Sequence, residues 1–416
     1  SLMKTYLVGG AVRDQLLKIK SKDRDWVVVG STSDEMLSQG FKQVGADFPV
    51  FLHPKSQEEY ALARTERKQG HGYQGFTVEF SKDVTLEEDL VRRDLTINAM
   101  AKDDDGNIFD PFKGQQDLTN KILRHVSPAF QEDPLRVLRV ARFAARFHHL
   151  GFTIAPETLS IMKTISDSGE LAHLTAERVW VETERALKEK SPWIFFESLK
   201  GCNALEVCYP ELNALFGIPQ PAQHHPEIDT GLHSLMSLKQ ASLLSPDPAI
   251  RFAALMHDLG KGLTPKENWP KHIKHESLGL PLVNEMSDRL RIPNRFRELT
   301  LKVTEFHTHV HKAFELKAST IWKLFRKTDA LRKTERFNEI LLACMADSQG
   351  RTGFENATYP QARYLQDILK AAQGVNIKDL MAQGIEGAKL GEAIEQARIT
   401  AISQAKKAFH EQNPNV

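Results

Sequence analysis

The chain has 416 residues, with 55 Lys and Arg set against 54 Asp and Glu for a formal net charge of +1. That length predicts two to four domains with mass enough for hydrophobic cores, and near-neutrality excludes a global field for capturing nucleic acid, so any basic surface must be local. The spacing of Cys202, Cys208 and Cys344, with no membrane-length apolar run and no signal-peptide pattern, excludes a zinc knuckle, a disulfide framework and a membrane span, and predicts a soluble cytoplasmic protein.

Residues 4–8 read as a short strand that runs into Gly9-Gly10 and then the start of an amphipathic helix carrying Val12, Leu16 and Leu17. Glycines at such a junction let backbone approach a phosphate, and the helix N-terminus offers N–H donors; Arg13 in its first turn could clamp a triphosphate. Alone, strand–glycines–helix is an ordinary tight turn. Asp23 and Asp25 then precede the β-branched run Val27-Val28-Val29, which reads as a buried strand. Side chains at i and i+2 share a strand face, so both carboxylates point the same way, and a divalent cation relieves their repulsion. Mg²⁺ takes one or two carboxylates plus substrate phosphates. By itself D-x-D is no more than a polar turn. The two features in succession resemble the nucleotidyltransferase fold of the DNA polymerase β superfamily.

Further strands are expected over 48–52, 60–63 and 76–80, with the glycine-rich, charged stretch 64–75 expected as a loop, either plain surface or a mobile element beside a site. Arg92-Arg93 then precede Asp94, a candidate N-cap for a short helix; they form either an exposed basic turn or a clamp on phosphate. From about 126 the pattern turns helical. Ser127-Pro128 and Asp133-Pro134 both have the form of helix starts. After them Arg136, Arg139, Arg142 and Arg146 recur at three- and four-residue steps on one arc, opposite Val137, Leu138, Val140, Ala141, Ala144 and Ala145. A solvated cationic face is the plain reading of such an arc. Four arginines without interleaved acids also suit phosphate or base contacts.

Helices are expected over 156–167, 175–189 and 192–208, a linker over 216–226, and more helices from about 360 to 410. Between them His233 lies on an amphipathic helix, and His257-Asp258 follow 24 residues later at the end of an apolar one. His272, His275, His307, His309 and His311 are expected to be structural or exposed, His275 being the first candidate for an exception.

Four stretches in this order resemble one family over nearly the whole chain: Leu7-Val8-Gly9-Gly10-Ala11-Val12-Arg13-Asp14; Asp23-Arg24-Asp25; Arg92-Arg93-Asp94-Leu95-Thr96-Ile97-Asn98-Ala99; and the run from Glu132 to Phe143 that contains Asp133, Arg136, Arg139 and Arg142. The chain is similar to the bacterial class II tRNA nucleotidyltransferases, the CCA-adding enzymes. His233 with His257-Asp258 resembles the HD phosphohydrolase superfamily, so the resemblance is to the multifunctional form. It implies an α/β polymerase β-like head followed by an all-α body containing an HD domain. The corresponding divisions are a head over 3–125, a helical nucleotide-recognition and RNA-binding region over 126–215, an HD domain over 230–331 and helices over 332–416.

The resemblance also implies that Gly10, Arg13, Arg93, Arg139 and Arg142 contact ATP or CTP, and that Asp23 and Asp25 are catalytic and bind Mg²⁺. His233, His257, Asp258 and, by its place in the family pattern, Asp347 would hold a transition metal such as Ni²⁺ or Mn²⁺. The partners implied are the tRNA 3′ end, CTP and ATP, with no membrane, for a monomer or a homodimer. No clear match to a third catalytic carboxylate is present. Asp133 and Arg136 resemble the pair that reads the incoming base. A carboxylate only accepts and a guanidinium only donates, so such an edge admits C and A, which pair an amino donor with a ring-nitrogen acceptor, and rejects U and G, which reverse that order. Asp133 is equally a good helix N-cap. The rival readings are a bacterial poly(A) polymerase, a protein uridylyltransferase with an HD module, and a non-enzymatic RNA-binding scaffold.

Overall fold

The computed structural model describes residues 3–45, 50–68, 76–221 and 229–416, which fall into two compact units divided between Cys208 and Tyr209. The first begins with β1 (Lys4–Val8), α1 (Gly10–Leu16), β2 (Asp25–Val29), α2 (Ser33–Ser38), β3 (Lys42–Val44), β4 (Val50–Leu52) and β5 (Glu59–Leu62). A ribbon of β6 (Arg64–Lys68) and β7 (Phe76–Phe80), then α3 (Leu86–Val91), β8 (Ala101–Lys102) and β9 (Ile108–Phe109) follow. Among the described residues the main sheet runs β3-β4-β5-β2-β1-β8-β9, with β2 and β5 parallel and the other neighbours antiparallel.

β2 explains its own composition. Val27 packs with Tyr6, Val8, Leu90 and Ala101 on one face, whereas Val28 packs with Met36, Phe51 and Leu62 on the other. A strand covered on both faces needs a continuous apolar run rather than alternation. In the antiparallel pair Val8 lies opposite Asp25, so the last residue of β1 and the first of β2 share one end of the sheet. That register sets the Gly9-Gly10 turn beside the D-x-D. Gly9 has φ 68° and ψ −132°, a conformation closed to residues with a Cβ.

Residues 64–75 were expected as a loop, but 64–68 form β6, paired antiparallel with β7 from Arg64↔Phe80 to Lys68↔Phe76. Backbone ladders need no apolar side chains where a ribbon satisfies its charges locally, as Arg64 and Glu66 do at 3.0 Å. The glycine-rich remainder of that stretch, and residues 48–49 of the expected 48–52 strand, lie outside the described residues. So do residues 222–226 of the expected linker over 216–226.

The first unit continues through α4 (Gly114–Asn120), β10 (Ile122–Leu123), α5 (Leu135–Phe147), β11 (Thr153–Ile154), α6 (Pro156–Asp167), α7 (Ala176–Leu187), α8 (Pro192–Gly201) and α9 (Leu205–Cys208). Strand structure therefore does not end at 126: β11 pairs in parallel with β10. α5 packs on α7 and α8, and its Val137, Leu138, Ala141 and Ala145 are all fully buried.

The second unit is helical throughout its described residues: α10 (Pro210–Asn213), α11 (Thr230–Leu244), α12 (Pro248–Met256), α13 (His275–Leu290), α14 (Asn294–His311), α15 (Ala318–Lys327), α16 (Thr334–Gln349), α17 (Pro360–Gln373), α18 (Ile377–Ala382) and α19 (Gly387–Gln412). α12 is buried from Ala249 to Met256, with Arg251 its one charged side chain, and it packs against α11, α14 and α16. α19 packs on α15 and α17, with Tyr364 edge-on to Phe409 at 4.9 Å. No described helix is long and apolar enough to cross a membrane.

Candidate functional site

In the first unit a cavity of about 760 Å³ collects Gly10, Arg13, Asp23, Asp25, Arg93, Asp133, Arg136, Arg139 and Arg142 on one wall or another. Asp25 opens β2, and Asp23 lies two residues ahead of the strand. Burial raises the Asp25 pKa and the Asp23 charge adds to it, while Arg93 pulls it back down. A divalent cation between the two carboxylates would relieve that repulsion, so the donor set fits Mg²⁺.

Arg13 is 3% exposed, donates from Nε to Asp14 at 3.0 Å and from Nη1 to Asn98 at 2.6 Å, and lies over the Phe143 and Phe147 rings. A Cβ on Gly10 would come within 3.1 Å of Arg13 Nη2, so the glycine lets this guanidinium fold back over the turn. Arg92 and Arg93 both reach Asp89, at 3.1 and 3.2 Å, and Asp89 is fully buried. Arg93 Nε is buried without a hydrogen-bond partner among the described residues, a donor available to an anionic ligand.

Asp94 does not cap the short 3₁₀ turn Thr96–Asn98 as expected. Its Oδ1 accepts from Leu95 N and Asn98 Nδ2, and its Oδ2 accepts from Arg139 Nε at 2.7 Å. The arc of arginines on α5 is likewise not a solvated face. Arg136 and Arg142 are each 7% exposed, and Arg142 Nε donates to Glu182 at 2.5 Å. The acids missing from α5 come from other elements, because buried guanidiniums need partners wherever the fold can supply them. Arg136 donates to the Ala129 carbonyl at 2.9 Å and to the Arg92 carbonyl, which holds its fork rigid. Asp133 accepts the Leu135 N–H on Oδ1 at 3.0 Å, a helix-start contact that leaves Oδ2 uncommitted by that bond. Glu66, Arg178, Arg185 and Lys188 also line this cavity. Sequence reasoning missed them because nothing local marks them.

In the second unit His233 from α11, His257-Asp258 at the end of α12, and Asp347 from α16 converge, all buried. His257 Nε2 is 3.1 Å from Asp347 Oδ1 and 3.2 Å from Asp258 Oδ2; His233 Nε2 is 2.6 Å from Asp347 Oδ1. Each imidazole spends Nδ1 on a backbone carbonyl, Gly350 at 2.8 Å for His233 and Ala254 at 2.7 Å for His257, so each Nε2 faces the centre. His257 Nε2 has no well-formed hydrogen bond among the described residues. Burial opposes charge here. Even so, the neighbouring carboxylates lift His257 well above the usual imidazole range, and His257 with Lys261 holds Asp258 well below the carboxylate range. The cluster thus calls for positive charge at its centre, and two imidazoles with two carboxylates suit a transition metal.

Two glycines set this geometry. A Cβ on Gly350 would meet Ser237 at 2.7 Å, and one on Gly260, just after Asp258, would meet the His275 carbonyl at 1.9 Å. Gly260→Ala is therefore expected to push α13 outward and destabilise the second unit by about 1–3 kcal/mol. Gly391→Ala on α19, whose Cβ meets nothing within 4 Å, is expected to stabilise by up to about 1 kcal/mol. Urea melts of the two variants check this contrast; equal midpoints would contradict it.

Three further histidines lie beside this centre: His275, the expected exception, and His307 and His311, which were expected to be structural or exposed. His275 Nε2 and His307 Nε2 each lie 3.5 Å from Asp258 Oδ1, and His311 Nε2 lies 2.5 Å from Asp347 Oδ2. His307 and His311 sit one turn apart on α14, a spacing that could have flagged them. His272 is buried between Thr264 and the Pro219 carbonyl, and His309 is exposed, as expected. A cavity of about 490 Å³ opens beside the cluster and carries Lys271, Lys312 and Arg351 on its walls.

Residues 5–124 match the Poly A polymerase head domain, residues 151–216 the probable RNA and SrmB-binding site of polymerase A, and residues 230–348 the HD domain. A multifunctional CCA protein of Hahella chejuensis is 60% identical over 97% of this chain and 96% of its own length. The chain belongs to the multifunctional CCA protein family. A second member, from Shewanella frigidimarina, is 59% identical over 98% of this chain and 99% of its own. Among solved structures, a CCA-adding enzyme in complex with CTP matches with TM-score 0.66 at 21% identity, covering 100% of this chain and 92% of the other. A Thermotoga maritima CCA-adding enzyme complexed with tRNA matches with TM-score 0.64 at 21% identity, covering 98% and 92%. These likenesses establish the family's fold here: a nucleotidyltransferase head, a mostly helical body and an HD domain.

Proposed function

We propose that the chain adds and repairs the 3′-terminal CCA of tRNA without a nucleic-acid template, using CTP and ATP and releasing pyrophosphate. The observation that carries this reading is the arginine-lined cavity with Asp23 and Asp25 on its wall, in a member of the multifunctional CCA protein family. Asp23 and Asp25 would hold Mg²⁺, which on binding supplies charge for an in-line attack on the triphosphate. Arg13, Arg93, Arg139 and Arg142 then neutralise and orient the phosphates, with the Gly10 backbone beside them. The HD module is a metal-dependent phosphohydrolase acting as phosphatase, 2′-nucleotidase and 2′,3′-cyclic phosphodiesterase. Its metal, Ni²⁺ or Mn²⁺, would be held by His233, His257, Asp258 and Asp347. Lys271, Lys312 and Arg351 give its cavity the charge to receive a phosphate ester. We assign residues 3–125 to the head, 126–215 to nucleotide and RNA recognition, 230–331 to the HD module and 332–416 to further helices, in a cytoplasmic protein.

The deciding assay offers tRNA lacking its CCA with each nucleotide singly. Incorporation of C residues followed by a single A supports the proposal. Incorporation of ATP alone, in long tracts, would make the chain a poly(A) polymerase.

Asp133 carries two roles that one residue change separates. As reader of the base edge it supplies an acceptor to C and A; as helix start it accepts the Leu135 N–H at 3.0 Å. Asp133→Ala is expected to relax selection against UTP and GTP by about tenfold to a hundredfold, the worth of one buried hydrogen bond of about 1–3 kcal/mol. Asp133→Ser keeps a capping oxygen without the carboxylate. Single-nucleotide incorporation rates check it: full preference for CTP and ATP in Asp133→Ser reduces Asp133 to a cap.

A further inference from the structure

Beside its cations, the cavity of about 490 Å³ in the second unit carries two neutral amides, Gln220 ahead of α11 and Gln361 in the first turn of α17. Gln220 is 2% exposed and accepts from Lys261 Nζ at 2.8 Å. Gln361 donates to the His311 carbonyl at 3.0 Å. These partners fix which end of each amide is which. An ammonium only donates, so it faces Gln220 Oε1; a carbonyl only accepts, so it faces Gln361 Nε2. The two atoms left over are Gln220 Nε2, a donor, and Gln361 Oε1, an acceptor. Both are buried without a hydrogen-bond partner among the described residues.

Other polar groups on this wall are engaged. Thr308 Oγ1 donates to Glu276 at 3.3 Å, and the Tyr359 hydroxyl lies 2.6 Å from His311 Nδ1. Arg351 Nε is also buried without a partner, but it is a charged donor and with Lys271 and Lys312 suits an anion. A neutral donor and a neutral acceptor match a different group, one that is uncharged and both accepts and donates. A ribose hydroxyl does both, and so does the edge of a nucleobase. Leaving such atoms unpaired is costly in the empty cavity, and a ligand that pairs them removes the cost. The volume lies in the range of pockets for whole small molecules, about 300–1,000 Å³. Each amide is also one residue removed from a carboxylate of the buried cluster. Lys261 lies 3.4 Å from Asp258 Oδ2, and His311 Nε2 lies 2.5 Å from Asp347 Oδ2.

We infer that Gln220 Nε2 and Gln361 Oε1 hold the nucleoside of a phosphate ester in this cavity, and so select nucleotide esters over plain phosphomonoesters. The inference rests on the reading of the cavity as a phosphohydrolase site. The cations take the phosphate, and the two amides orient the leaving alcohol.

The test compares two monoesters that differ in the alcohol alone. The full chain, supplied with Ni²⁺, is assayed for kcat/KM on 2′-AMP and on p-nitrophenyl phosphate. In Gln220→Met and in Gln361→Met the ratio of the two is expected to fall by about tenfold to a hundredfold, since a site built to pair a polar group loses that preference once its partner is gone. Gln366→Met, on the exposed side of α17 with its amide on Asn338 at 3.1 Å, should keep the wild-type ratio. Melting curves verify folding, and Gln220→Asn or Gln361→Asn replaces a methionine variant that melts early. A base-free ribose 2-phosphate separates the two sources of the contact: an equal fall on it places the amides on sugar hydroxyls, and no fall places them on the base edge. A ratio that stays constant, whether both rates drop together or neither does, overturns the inference, as does a fall in one variant only. No hydrolysis of either ester by the wild type overturns the phosphohydrolase reading itself.

Discussion

Replacing Asp23 or Asp25 with Asn is expected to lower CCA addition by about 10³-fold or more. Removing a single electrostatic partner of a transition state already costs about 10²–10³, and on the proposed reading a ligand to the charge-bearing ion is lost as well. The fold should tolerate the change. Asn is isosteric, and at Asp25 it removes the charge whose proximity to Asp23 helps raise the Asp25 pKa. The measurement is single-turnover incorporation of radiolabelled CMP, with a phosphatase assay on the same preparation. Phosphohydrolase activity should be unchanged, because its ligands all belong to the second unit. Loss of both activities in a folded variant would contradict two separate sites.

The converse experiment replaces His257 or Asp258 with Ala. The proposed metal-dependent phosphohydrolase activity should fall by about 10²-fold or more, since each change removes a proposed buried ligand and leaves its neighbours uncompensated. Asp258→Ala should be the more severe, because Asp258 lies 3.4 Å from Lys261 as well as beside four imidazoles. CCA addition should persist within a few-fold. Rates of p-nitrophenyl phosphate and 2′,3′-cyclic nucleotide hydrolysis, set beside melting curves, test this; equal loss of both activities at an unchanged melting temperature would refute it.

The contrast between these two centres bears on what could be seen in the sequence. Both are announced by neighbours in the chain: Gly9-Gly10 before Arg13, Asp23 two residues from Asp25, His257 next to Asp258. Strand and helix periodicity turns such spacings into shared faces, so local rules suffice. The arginines on α5 show where those rules end. Their spacing identified one arc of the helix, but whether that arc met water or acids depended on Asp94, 45 residues before Arg139, and on Glu182, 40 residues after Arg142.

By itself, then, the order of residues determined the fold class: a polymerase β-like head at the start of the chain, followed by a mostly helical body with an HD domain. Only the tertiary structure decided which charges are paired, that residues 64–68 join a strand ribbon, and that His275, His307 and His311 turn toward Asp258 and Asp347. The physical reason is common to all three. A buried polar group must be satisfied, yet its partner can come from any element that packs nearby, and packing distances bear no relation to distances along the chain. Asp258 and His307 lie 49 positions apart in the chain and 3.5 Å apart in the fold.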